Sequence, residues 1–232
     1  MQETTTHSKP PLPAFRVKVC GLTQVDQVAA LDAMEVMFAG FIFYPPSPRY
    51  CKKMLSIDQL KKFRGKHINK VGVFVNSPVE EVLKTVDEAG LSMVQLHGDE
   101  SPKTCEKIAE YVSVIKAFRL REQEPVMWKI KDYQGVVDMF LFDTATSIYG
   151  GSGKKFDWSM LSGLSIGKPF FLSGGIGPED ASLIQQFALD NVAKDLFALD
   201  INSRFEISPG VKDLALIKTF IQQVNFRATS NT

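Results

Sequence analysis

Short apolar runs rich in β-branched and aromatic residues recur along the chain, each followed by an amphipathic stretch, in a strand-then-helix rhythm. Strands are predicted near residues 15–20, 37–43, 68–75, 92–96, 112–118, 138–143, 168–172 and 195–200. Helices are predicted near 24–35, 57–64, 78–89, 101–110, 123–132, 157–163, 178–187 and 212–224. Pro78 and Pro178 suit the first turn of a helix, and Ser101-Pro102 supplies a cap followed by proline. Alternating units of this kind favour a parallel sheet with helical crossovers. Eight of them without a linker predict a closed (β/α)8 TIM barrel, one domain over residues 14–226, between flexible tails at 1–13 and 227–232. An open doubly wound sheet is the alternative arrangement. In a barrel, the chemistry belongs at the C-terminal ends of the strands.

The 232 residues suit one such barrel. Lys and Arg number 27 against 26 Asp and Glu, a net charge of +1 without long blocks of either sign. That balance indicates neither a nucleic-acid nor a membrane surface, so a small molecule is the expected partner. Cys20, Cys51 and Cys105 are odd in number, widely spaced and outside any CxxC or Cys/His cluster. They point to reduced thiols and away from zinc, and the cytoplasm is the compartment that fits. Residues 1–13 are polar and proline-punctuated, without a signal peptide's apolar core, and no stretch reaches the ~18 apolar residues of a membrane span.

Candidate chemistry gathers at the strand ends. Asp143 closes the apolar run 139–142 and is followed by Gly150, Gly151, Ser152, Gly153 and Lys154, which sets a proton-transfer group beside an anion cradle. The first run ends at Cys20-Gly21 and the seventh at Ser173-Gly174-Gly175. Cys20 taken alone reads as a packed small hydrophobe, and Asp143 taken alone is equally a turn cap. Glycine clusters after strands six and seven, with Asn202-Ser203 after strand eight, lie where barrels build phosphate sites from backbone N–H groups. Arg49 follows the proline-stiffened string Tyr44-Pro45-Pro46-Ser47-Pro48, which can fix a guanidinium for a bidentate carboxylate contact; a solvated surface arginine is the other reading. His97 either contacts a ligand or orients its own loop.

Several ordered segments resemble phosphoribosylanthranilate isomerase. They are residues 18–23, Gly40-Phe41 with residues 47–50, residues 71–74 and 95–98, and Asp143-Thr144 with residues 150–158. Ser173-Gly174-Gly175-Ile176, Asp200, Ser203, Glu206 and Pro209-Gly210-Val211-Lys212-Asp213 carry the likeness through the C-terminal half. The resemblance implies a single-domain (β/α)8 enzyme of tryptophan biosynthesis. Its reaction is the Amadori rearrangement of N-(5-phosphoribosyl)anthranilate to 1-(o-carboxyphenylamino)-1-deoxyribulose 5-phosphate, without metal or organic cofactor. It matches the general base to Cys20, the general acid to Asp143 and the anthranilate-carboxylate arginine to Arg49, and brings Asp200 into the substrate-binding set. Two departures stand out: Ile42 where many members carry Asn, and Arg204 where Gly is more usual. The histidine-pathway Amadori enzyme is the nearest competing enzyme, but it uses two carboxylates. A noncatalytic phosphosugar-binding module with an inert Cys20 is the competing reading of another class.

One acid and one base suffice for the implied reaction. Protonating the furanose oxygen opens the sugar to a Schiff base, and removing the C2 proton gives an enolamine that tautomerises to the ketone. With ordinary pKa values of about 3.9 for Asp and about 8.5 for Cys, thiolate plus neutral acid is only about one in 10⁴–10⁵ of the singly protonated pair. The site is therefore expected to raise Asp143 by burial and lower Cys20 by nearby cations, Lys18 among them if its side of the strand points inward.

Overall fold

Strands buried on both faces must be apolar on both, which is why the runs read as nearly continuous rather than strictly alternating. The computed structural model describes residues 14–144 and 157–226. Its strands are β1 Val17–Cys20, β2 Phe38–Ile42, β3 Asn69–Phe74, β4 Met93–Leu96, β5 Ser113–Leu120, β6 Met139–Thr144, β7 Phe170–Leu172 and β8 Leu196–Ile201. Each pairs in parallel with the next and β8 returns to β1, so the eight form a closed barrel rather than an open sheet. The helices are α1 Val25–Ala33, α2 Ile57–Lys62, α3 Val79–Ala89, α4 Pro102–Ala109, α5 Val126–Ile130, α6 Ala181–Phe187 and α7 Leu214–Asn225. Among the described residues, no helix is long and apolar enough to cross a membrane.

Local chemistry sets the helix starts. Ser101 accepts a hydrogen bond from the Thr104 N–H with Pro102 in the first turn, as the sequence predicted. Ser56 and Gln59 form a reciprocal capping box at α2, and Asp213 caps α7 through the Leu216 N–H. Pro78 sits one place earlier than expected, at the N-cap of α3 with extended backbone, and Pro178 opens a 3-10 turn that leads into α6. The predicted helix at 157–163 is a 3-10 turn, Trp158–Leu161, started by the Asp157 side chain.

Two apolar layers follow from the two-residue period of a strand. In β6, Phe140 and Phe142 join the large cluster between barrel and helices, whereas Leu141 joins the inner cluster with Phe38, Val71, Ile115, Phe171 and Ala198. Nearer the C-terminal mouth the inner lining continues with Cys20, Ile42 and Val73. Lys212, the first residue of the predicted eighth helix, instead closes a small antiparallel pair, β9 Glu206–Ser208 and β10 Val211–Lys212.

Candidate active site

Lys18 and Cys20 lie two residues apart on β1 and share its inner side, and Asp200 on β8 is in register with Lys18. The Lys18 Nζ meets Asp200 Oδ1 at 2.8 Å, with the lysine side chain wholly buried. Cys20 is also buried, and the Lys18 ammonium acts electrostatically on its thiol. Gly40, opposite Cys20 on β2, makes room for the sulfur: a Cβ there would stand 2.8 Å from Sγ. Gly21 follows with φ +80°, and a Cβ on it would meet the Arg49 side chain at 2.7 Å and the Asn202 amide at 2.8 Å.

Burial pushes the Cys20 thiol up; Lys18 and Lys212 oppose that shift, and Asp200 adds to it. The expected net lowering by cations is therefore reversed, because desolvation of the thiolate outweighs them. Burial also works against the Lys18 charge, yet Asp200 and Cys20 beside it hold the ammonium above its usual range.

A second group comes from β4 and β6. His97 Nε2 lies 3.3 Å from Asp143 Oδ2, and Gln95 Nε2 lies 2.7 Å from His97 Nδ1. With the Gln95 amide donating, a neutral His97 carries its proton on Nε2 and donates it to Asp143. Asp143 Oδ1 accepts from the Thr144 N–H at 2.8 Å. Gln95 Oε1 is buried without a hydrogen bond among the described residues. Orientation of the loop falls to Glu100, which accepts from the Asn76 and Gly98 N–H groups and from Lys116 Nζ. Both Asp143 and His97 act electrostatically on Asp200, so the two groups share one mouth.

Arg49 is buried, and its own N–H donates to Ser47 Oγ at 3.1 Å, the loop placement that the prolines suggested. One edge of its guanidinium is occupied: Nε donates to both Glu206 oxygens at 2.9 Å and Nη2 to Oε2 at 2.7 Å. Nη1 has no partner among the described residues. Glu206 Oε1 accepts as well from Lys212 Nζ at 2.7 Å and the Gly210 N–H at 3.1 Å. Burial raises the Glu206 carboxyl, but the Arg49 and Lys212 bonds outweigh it and hold the group below its usual range.

The phosphate candidates divide. Gly151, Ser152 and Gly153 lie outside the described residues. Gly174 and Gly175 both have positive φ, 91° and 73°; among the described residues, neither N–H has an acceptor. Ser173 is buried, and its carbonyl accepts from Trp158 Nε1 at 3.3 Å. Asn202 accepts Lys212 Nζ at its side-chain oxygen, 2.8 Å, and at its carbonyl, 3.3 Å. Ser203 begins the 3-10 turn Ser203–Phe205. Arg204 pairs with Glu179 at 2.6 Å on the surface. Gln95, Glu206 and Lys212 were given no role by the sequence. The available signals were a glutamine two residues before His97 on a buried strand, and a charged pair flanking Pro209-Gly210.

Fold and site together place this chain among (β/α)8 enzymes whose working groups line the C-terminal mouth. Its residues 17–223 match the family model described as N-(5'phosphoribosyl)anthranilate (PRA) isomerase. The isomerase of Parabacteroides distasonis is 41% identical over 209 residues, covering 90% of this chain and 92% of that protein. A crystal structure of phosphoribosyl anthranilate isomerase from Thermotoga maritima superposes with a TM-score of 0.77 at 36% identity, covering 90% of this chain and 98% of that one. Another, in complex with reduced 1-(o-carboxyphenylamino)-1-deoxyribulose 5-phosphate, has a TM-score of 0.72 at 31% identity and the same coverage. The chain belongs to the phosphoribosylanthranilate isomerase family.

Proposed function

We propose that this chain converts N-(5'-phosphoribosyl)anthranilate into 1-(o-carboxyphenylamino)-1-deoxyribulose 5-phosphate by general acid–base catalysis, with Asp143 as the acid and Cys20 as the base. The observation that carries this reading is their placement: the thiol and the carboxylate stand at the C-terminal ends of β1 and β6 in a barrel whose family match runs through both. Asp143 donates its proton to the furanose oxygen, the C1–O bond breaks, and a Schiff base forms with the anthranilate nitrogen. Cys20 thiolate then takes the C2 proton, giving the enolamine, which tautomerises to the ketone. The neutral form of His97 positions Asp143 by donating to Oδ2.

Arg49 meets the anthranilate carboxylate through Nη1 while Glu206 fixes the other edge of the fork. Asp200 holds Lys18 beside Cys20 and belongs to the same substrate-facing group. The phosphate is received by residues 151–153 and 173–175 and by the backbone of Asn202 and Ser203, with the positive-φ pair Gly174 and Gly175 as structural support. Three buried free cysteines are consistent with work in the cytoplasm.

The test is loss of anthranilate-type fluorescence when purified protein meets enzymatically generated phosphoribosylanthranilate, with chemical identification of the carboxyphenylamino-deoxyribulose product. Binding without product would favour the phosphosugar-binding module and defeat the enzymatic reading.

A further inference from the structure

We propose that Lys212 is a positioning residue for the isomerase reaction: its buried ammonium supplies positive charge that stabilises the Cys20 thiolate in the unliganded protein. The inference rests on Cys20 being the base, and it gives a task to a lysine that the substrate does not need to touch.

The Lys212 side chain is wholly buried, and that burial pulls its ammonium below the usual range while Glu206 and Cys20 oppose the shift, so the charge depends on full engagement of its donors. Asn202 Oδ1 at 2.8 Å, Asn202 O at 3.3 Å and Glu206 Oε1 at 2.7 Å supply three acceptors. An ammonium has three N–H bonds to match them, whereas a neutral amine would turn a lone pair toward an acceptor. The backbone is pinned too. Gln27 of α1 donates to the Lys212 carbonyl at 2.8 Å and accepts its N–H at 3.0 Å. One residue pair of β9 and β10 brings Glu206 opposite Lys212.

The charges around Cys20 then count unevenly. Lys18 on β1, Arg49 after β2 and Lys212 on β10 are cationic, against Asp200 on β8 and Glu206 on β9. Asp200 compensates Lys18, and the single Glu206 carboxylate is shared between Arg49 and Lys212. One positive charge is left over, and ionising Cys20 brings the group to neutrality. Asp143 and His97 form their own pair across the mouth. Asn202 Oδ1, which accepts Lys212 Nζ at 2.8 Å, would stand 2.8 Å from a Cβ on Gly21, so the ammonium lies one amide away from the residue that follows Cys20. Burial lifts the thiol, and Lys18 followed by Lys212 are the cations that oppose it. A lysine that only braced the hairpin would support Glu206 without affecting the ionisation of Cys20.

The experiment follows iodoacetamide alkylation of Cys20 in the unliganded full chain across the neutral-to-alkaline range, read at the Cys20 peptide by mass spectrometry. The readout is the pH midpoint, which altered access to the thiol does not mimic. Folded Lys212→Met is expected to raise the midpoint by about half a unit or more, and Glu206→Gln to lower it by a similar amount, since it removes the shared anion. Lys212→Arg, which keeps the charge, should restore the wild-type value. Unchanged midpoints, or shifts of both variants in one direction, overturn the proposal. Should Lys212→Met fail to fold, Glu206→Gln decides: a lowered midpoint supports the coupling and an unchanged one defeats it. Failure of the base assignment is a separate result, normal turnover in Cys20→Ala, and leaves the alkylation readout intact.

Discussion

Arg49 gives one edge of its guanidinium to Glu206, and the proposed carboxylate contact uses the other, so removing it would delete that contact and leave Glu206 half paired. Arg49→Ala is expected to lower kcat/KM about 10–150-fold, mainly through KM, corresponding to about 1.5–3 kcal/mol. Steady-state kinetics check this, and an unchanged kcat/KM would remove Arg49 from the site. Cys20 carries a second expectation. Because burial lifts its pKa, the thiolate fraction of the unliganded protein should still be rising with pH where an ordinary thiol, at about 8.5, is levelling off. Alkylation of Cys20 should therefore keep accelerating into that range, and a pH midpoint at or below the ordinary value would contradict a thiol lifted by burial.

At the scale of elements, the barrel is joined by polar clasps between distant loops. Asp32 near the end of α1 accepts the Lys66, His67 and Ile68 N–H groups at 2.8, 2.7 and 2.9 Å, fixing the approach to β3. Desolvation works against its charge, but those three donors prevail and hold the carboxyl below its usual range. A depressed carboxylate stabilises the fold above its unfolded pKa and loses that contribution as pH falls through the lower folded value. Asp32→Asn should be less stable at neutral pH, by at most about 1 kcal/mol at so accessible a group, with the difference shrinking in acid. Urea unfolding at two pH values measures it, and a difference that grows in acid would refute the assignment.

The eight strands were legible in the sequence because each is a local apolar run bounded by turn residues. The β9–β10 pair was not. Its strands are three and two residues long, and the Gln27–Lys212 bonds that hold it span 185 positions, which no local pattern encodes. The site divides in the same way. Cys20 ends β1 and Asp143 is next to last in β6, so both could be picked out by position, as could the loop bearing Arg49. The pairing of Arg49 with Glu206, and the placing of Lys18 and Lys212 in one charged group, depend on barrel closure and on a hairpin that the local pattern did not signal.

On the scale of the whole molecule, apolar packing at the inner core supports a polar tier above it. Phe171 is fully buried among the inner cluster, edge-on to Phe38 at 5.5 Å and to Phe197 at 5.5 Å. Phe171→Ala should destabilise the protein by about 3–5 kcal/mol, through lost burial and the cavity left behind; chemical denaturation checks it, and a change under about 1 kcal/mol would show that the inner layer is not the support described. The proposed work of this mouth is proton transfer in the Amadori rearrangement, with Cys20 as the base. Its most direct test is the kcat of folded Cys20→Ala on phosphoribosylanthranilate, set beside its affinity for the reduced product. The kcat should fall by at least about 10²-fold with affinity largely retained. Near-wild-type turnover in the folded variant would contradict it.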